Sequence, residues 1–166
     1  MVWSKEDGRL RVARPADYDR IAAVIDDWWG RPVRASLPRL FLDHFWTTSR
    51  VAEDDFGLAG FLVAFVSPSE PEIAYLHVVG VRPDRRRSGL AESFYGAFLV
   101  YATSVGCGEA RAVTAPGNEG SIRFHRRLGF DVSAPVPNYN GAGRPMVIFT
   151  RALGHEQDRT SWPMRT

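Results

Sequence analysis

Apolar side chains recur along this chain with two different periods, and each change of period marks an element. Ile21, Val24, Ile25 and Trp28 follow one another at helical spacing, in a helix begun by Pro15 and Asp17 and ended by Gly30 and Pro32. A short strand, Leu10 to Ala13, precedes it. A second helix is predicted from Ser36, an N-cap residue type, through Leu37, Leu40, Phe41 and Phe45. The middle third changes to strand-like runs at Ser49 to Glu53, Leu58 to Val66 and Glu72 to Val81, separated by the turn-rich EDDFG and SPSEP, which is the pattern of an antiparallel meander. Helical spacing returns from Ser88 to Ser104, with Phe94, Ala97, Phe98 and Tyr101 on one stripe and Gly106 as its stop. A strand at Glu109 to Thr114, a helix at Asn118 to Leu128, a strand from Phe130 and a last strand at Met146 to Arg151 complete the order β-α-α-β-β-β-α-β-α-β-β. That order predicts an α/β fold of the α+β kind, with a mixed sheet flanked by helices.

Composition narrows the class without naming a chemistry. The 166 residues suit one domain, predicted over residues 1–153 with a loosely held tail at 154–166, where GHEQDRTSWPMRT loses apolar periodicity. Apolar residues make up 45 % and charged residues 24 %, so disordered, collagenous and disulfide-scaffold classes are excluded. The net charge of +2 is too small to argue for a polyanion partner, so any basic function must be local and no nucleic acid is expected. No run approaches a membrane span, and the opening MVWSKEDGRL lacks the apolar region of a signal peptide. Cys107 stands alone, without a disulfide partner or zinc-ligand spacing, and reads as a small filler. A cytoplasmic protein with no bound metal and no membrane partner is expected, and a homodimer is compatible with this reading.

The sharpest local feature is VVGVRPDRRRSGLAESFY, where a strand ends at Val81, Pro83 stops it, and Arg86-Arg87-Ser88-Gly89-Leu90-Ala91 opens a helix. Unpaired amides of a first helical turn, the helix dipole and a small residue for close approach suit such a junction to phosphate. The bland alternative is a solvated arginine run. Arg86-x-x-Gly89-x-Ala91 matches the [QR]-x-x-G-x-[GA] signature of the GNAT (Gcn5-related) N-acetyltransferases, between a strand and a helix as that family requires. Downstream, Asn118-Glu-Gly-Ser121-Ile-Arg-Phe124-His125-Arg-Arg-Leu128-Gly129-Phe130 resembles the family block N-x-x-A-x-x-F-Y-x-x-x-G-F. The resemblance extends over roughly residues 9 to 151.

That resemblance implies a single GNAT-like domain, its sheet of about six to seven mostly antiparallel strands splayed at the cofactor site and flanked by about four helices. It also implies transfer of an acetyl group from acetyl-CoA to a primary amine, by direct attack. Arg86, Arg87, Ser88, Gly89, Leu90 and Ala91 would hold the pyrophosphate, Val81 would pair with pantetheine, and the backbone N–H of Val79, near a β-bulge, would donate to the thioester carbonyl. Asn118 and Ser121 would lie on the cofactor side of their helix. His125 stands where the family usually has Tyr, the donor of a proton to the departing thiolate; helical spacing puts it on one face with Asn118, Ser121 and Ile122, whereas Phe124 and Leu128 point another way, to the core.

The base is less constrained. Strand alternation puts Ile73, Tyr75, His77 and Val79 on one face, which makes His77 the first choice, with Glu72 and the acidic turn Glu53-Asp54-Asp55 as alternatives. Trp28-Trp29 with Asp26 and Asp27, and Phe45-Trp46 after His44, read either as an aromatic and acidic pocket for a cationic amine or as core. A small-molecule amine is expected as the acceptor. The alternatives are protein lysine or N-terminal acetylation, and a protein that binds acyl-CoA without turnover.

Overall fold

The computed structural model describes Trp3, Ser4 and residues 7–154, so the expected tail falls outside the described residues from position 155 onward. Its elements are β1 (Arg9–Val12), α1 (Asp17–Trp29), α2 (Leu40–Phe45), β2 (Arg50–Asp54), β3 (Gly57–Val66), β4 (Ile73–Val81), α3 (Leu90–Ser104), β5 (Glu109–Thr114), α4 (Glu119–Arg127), β6 (Asp131–Val132) and β7 (Val147–Ala152). The seven strands follow the order β1-β2-β3-β4-β5-β7-β6. The pairs β1–β2, β2–β3, β5–β7 and β6–β7 are antiparallel, and β4–β5 is parallel. No helix among the described residues is long and apolar enough to cross a membrane. The chain's contacts gather into two compact units, one of residues up to Phe65 with Leu76–Phe98, the other of Val66–Tyr75 with Leu99 onward.

In the first unit, α1 buries Ile21, Ile25 and Trp28, one helical stripe, against Val51, Phe61 and Val63 of the sheet and against Leu37 and Leu42. Each such aliphatic side chain contributes about 1.5–3 kcal/mol when fully removed from water. Gly30, at φ 66°, closes the helix by returning its N–H to the carbonyls of Asp26 and Asp27. The Asp26 carboxylate then accepts from the N–H groups of Val33 (2.7 Å) and Arg34 (2.8 Å), so it organises the following loop. The second helix begins later than its apolar spacing predicts. Arg34–Ser36 form a 3₁₀ turn, and Leu37 is extended at φ −129° and ψ 73°, as a residue before proline prefers; α2 starts beyond Pro38. β3 is buried on both faces from Ala59 to Ala64, as befits a central strand.

Ion pairs fasten the other flank of this unit. Arg11 bridges Asp17 (2.8 Å) and Glu53 (3.0 Å), and Arg20 reaches Glu53 at 2.5 Å. In the second unit, β5 pairs with β7 along its whole length, from Glu109↔Ala152 to Thr114↔Val147. The strand expected from Phe130 reduces to Asp131–Val132, with a single bridge further on at Val136↔Met146. Cys107 is buried with its Sγ 3.5 Å from the Pro71 carbonyl, and burial pushes its thiol pKa up, which fits a filler and not a nucleophile.

Candidate active site

A regular strand directs the backbone groups of alternate residues to the same neighbour. The Ile73 carbonyl accepts from Ser67 N–H, and Arg82 N–H donates to the Ala59 carbonyl, both at 2.9 Å. Both residues therefore address the β3 side although they lie an odd number of positions apart. One extra residue must sit between them, which is a β-bulge. Side chains locate it. His77 stacks on Phe41 with ring centroids 4.2 Å apart, and Val78, the next residue, packs against the same α1–α2 core that Phe41 joins. These two contacts are the ground on which the extra residue is assigned to His77–Val78.

Beyond the bulge, Gly80 shares the direction of Arg82, and the N–H and C=O groups of Val79 and Val81 turn away from β3. The register of β4 with β5 runs from Ile73↔Glu109 to Tyr75↔Arg111 and ends there, before Val79 and Val81. The bulge also corrects the alternation read from the sequence, because Val79 leaves the face that carries His77. Gly80 sits where any side chain would crowd its neighbours. A Cβ there would stand 2.5 Å from Phe61 Cε1 and 3.0 Å from Trp29 Cη2. Phe61 in turn lies 6.0 Å from the ring of Trp28 and 6.2 Å from that of Trp29, so this tryptophan pair packs the interior beneath the strand.

After β4 the chain makes a 3₁₀ turn at Pro83–Arg85 and passes through Arg86, extended, and Arg87, at φ 63°, before entering α3. Gly89 has φ 82°. Leu90 and Ala91 open the helix, where amides have no carbonyl one turn earlier to bond. Between the two left-handed residues the hydroxyl of Ser88 is buried without a hydrogen-bond partner. The arginine cluster sorts itself into tethered and exposed members. Arg82 and Arg85 grip Asp54, at 2.6 Å and 2.7 Å, and Arg86 donates to the Trp28 carbonyl at the end of α1. Arg87 is exposed.

Of the candidate bases, Glu53 and Asp54 are committed to arginines, which hold both carboxyls down at about 2. Glu72 and Asp55 are exposed. His77 has a different setting: its Nε2 lies 2.7 Å from the Ser36 carbonyl, which can only accept, so Nε2 carries the proton and Nδ1 the lone pair. Burial lowers the His77 pKa, keeping the ring neutral near pH 7.

In the second unit, Asn118 caps α4 by accepting from Ser121 N–H (3.2 Å) and donates through Nδ2 to Thr114 Oγ1 (3.1 Å). His125, expected to face away from the core, is the buried residue of this helix. It is 4 % exposed, stacks on Phe149 at 3.8 Å and meets the edge of Phe130. Its Nδ1–H donates to the Ser121 carbonyl at 2.8 Å, and burial pushes its pKa down to about 4. The ring is thus neutral at pH 7 and poorly suited to giving up a proton. Phe124 and Leu128, the expected core residues, are only half-buried. The loop after Val136 is a hairpin connection in which Asn138, at φ 56°, accepts from Gly143 N–H at 2.8 Å.

The strand, the bulge and the turn can be set beside known proteins. Residues 14–130, most of the chain, match the acetyltransferase (GNAT) family. The chain belongs to this family. Among curated relatives, a mycothiol acetyltransferase of Pseudarthrobacter chlorophenolicus is 32 % identical over 115 residues, covering 60 % of this chain and 34 % of that protein. The chain spans about a third of the length of the curated relatives it matches. The GNAT fold recurs in Ard1 of Thermoplasma volcanium, with TM-score 0.74, 21 % identity, and coverage of 89 % of this chain and 99 % of that one. It recurs also in a phosphinothricin acetyltransferase of Sinorhizobium meliloti, solved in complex with acetyl-CoA, with TM-score 0.69, 20 % identity and 89 % coverage of each chain.

Three features of the site escaped the sequence reading. The Ser36 carbonyl that sets the His77 tautomer is a backbone group with no sequence signal, and Phe149 is far from His125 along the chain. Asp54 was noticed only as a free acid; its pairing with Arg82 and Arg85, one 3₁₀ turn apart, was the available clue.

Proposed function

We propose that this GNAT protein moves an acetyl group from acetyl-CoA to a primary amine of a small molecule, by direct attack while both are bound. The observation that carries the reading is the β4 bulge, because it turns the amides of Val79 and Val81 to the edge where pairing with β5 has ended. The turn fits the pyrophosphate: Ser88 has a hydroxyl in want of an acceptor, and the amides of Ser88 to Ala91 open a helix. Arg87 adds an exposed charge and Arg86 ties the turn to α1.

Acetyl-CoA supplies an activated acyl carbon, and the chain's own groups do the rest. Val81 extends the sheet edge to pantetheine, and Val79 N–H donates to the thioester oxygen as charge gathers there, an effect commonly worth about 3–4 kcal/mol for one preorganised donor. His77 Nδ1 takes the amine's proton, directly or through water, while Ser36 steadies the opposite ring nitrogen. Asn118 and Ser121 act through the helix start that they hold. The neutral, core-packed His125 does not protonate the thiolate, which takes its proton from solvent. The small-molecule class of acceptor is supported by two curated relatives, a mycothiol acetyltransferase and an L-methionine sulfoximine/L-methionine sulfone acetyltransferase of Pseudomonas aeruginosa.

Titration calorimetry with acetyl-CoA tests the site, and an amine library read by free-thiol release tests the reaction. Gly89→Asp puts a side chain and a negative charge beside the pyrophosphate, and should weaken acetyl-CoA at least tenfold, about 1.4 kcal/mol, with the fold retained. Unchanged affinity in that variant overturns the placement; binding without turnover on any amine overturns the enzymatic reading.

A further inference from the structure

Asp54 is nearly inaccessible, its side chain 3 % exposed, although it ends a strand near the surface. It accepts from Arg82 Nη2 at 2.6 Å and Nη1 at 3.1 Å, from Arg85 Nε at 2.7 Å, and from the N–H of Phe56 at 2.9 Å. Its two arginines bracket the 3₁₀ turn that leads into the acetyl-CoA junction. Arg82 is fastened further by its Nη1 to the Leu58 carbonyl (3.1 Å) and by its backbone N–H to Ala59; Arg85 N–H closes on the Arg82 carbonyl at 2.8 Å. We propose that Asp54 is a positioning residue for the cosubstrate, holding the Arg82–Arg86 turn in the one conformation that presents the amides of residues 88–91 to the pyrophosphate. This rests on the reading of that junction as the pyrophosphate site.

Charge separates this role from its simplest rival. Arg82 and Arg85 are matched by Asp54 and by Asp84, which pairs with Arg82 at 2.6 Å, so the four side chains sum to zero and add little attraction for a polyanion. If the carboxylate acted only through its field, removing it would leave a net charge of +1 on Arg82, Arg85 and Asp84 and tighten acetyl-CoA. If it acts by fixing the turn, removing it loosens the amides and weakens acetyl-CoA. The two accounts therefore differ in sign.

The test compares Asp54→Asn with the wild type, using acetyl-CoA and S-acetylpantetheine, which lacks the pyrophosphate. Asp54→Asn should raise the acetyl-CoA Kd and KM at least tenfold while kcat at saturation, and kcat/KM for S-acetylpantetheine, stay within about twofold. Asp54→Asn combined with Arg85→Gln keeps the cluster's net charge at zero with Arg82 still paired to Asp84, so a field effect expects no change whereas loss of the clasp should raise the acetyl-CoA Kd several-fold; this variant decides the matter if Asp54→Asn alone does not fold. Tighter or unchanged acetyl-CoA binding overturns the proposal, as does an equal loss toward both donors that tracks a fall in melting temperature. Failure of the wild type to bind acetyl-CoA overturns the functional reading itself, a result distinct from wild-type binding that Asp54→Asn retains.

Discussion

Two histidines illustrate how one side chain takes opposite roles from its surroundings. Each gives a ring N–H to a carbonyl, but from opposite nitrogens: His77 uses Nε2 toward Ser36, His125 uses Nδ1 toward Ser121. For His77 the free-amine chemistry gives a kinetic expectation. His77→Gln should lose rate near pH 7 and recover much of it near pH 9, where more of the acceptor is already neutral; an unaltered profile of kcat/KM against pH assigns the base elsewhere, first to Glu72 or Asp55. For His125 the expectation concerns stability. Its folded pKa is depressed from 6.5 to about 4, so as pH falls the unfolded chain takes up the proton first. The stability tied to the neutral ring is complete above about pH 6.5 and is lost as pH drops toward 4, by roughly 3 kcal/mol. His125→Phe keeps a ring against Phe149 without a titrating group. Denaturation at several pH values should show the wild type losing that amount relative to the variant, with turnover per folded molecule near normal. A large fall in kcat for the variant would restore His125 to the chemistry. Its helical face was legible, whereas its burial depended on Phe149 of β7, a partner that local periodicity does not reveal.

At the scale of elements, strands and helices were found in the correct order because apolar spacing is a local property, and Gly30 and Gly106 stopped their helices as read. The departures came from features that periodicity does not carry: Pro38 delayed α2, β6 shrank to two residues, and the bulge changed which side chains share a face. Gly80 binds this element to its neighbours. Gly80→Ala would press a methyl group to 2.5 Å from the Phe61 ring, which is already confined by Trp28 and Trp29. Overpacking of this kind costs about 1–3 kcal/mol. The variant should unfold at lower urea concentration by that amount, and displacement of β4 should weaken acetyl-CoA in the same preparation. Wild-type values for both would show that Phe61 has room the structure does not display.

Across the molecule, the family was legible because Arg86-x-x-Gly89-x-Ala91 and the block from Asn118 to Phe130 lie in the right order on the right elements, and residues 14–130 carry that identity. The acceptor was not legible, because three of the aromatic and acidic residues that suggested a pocket are used elsewhere. Trp28 and Trp29 pack on Phe61, and Asp26 holds a loop. The bulge in β4 has a consequence for how such a protein can change over time. On the proposed reading Val79 and Val81 contribute through main-chain groups, so their side chains are free to drift while the direction of their amides depends on the parity of a residue count. Substitution in this strand is then a mild event and a one-residue deletion a severe one, since it would swap which amides face outward while leaving almost every side chain in place. Sites written in this way diverge readily in letters and hardly at all in length.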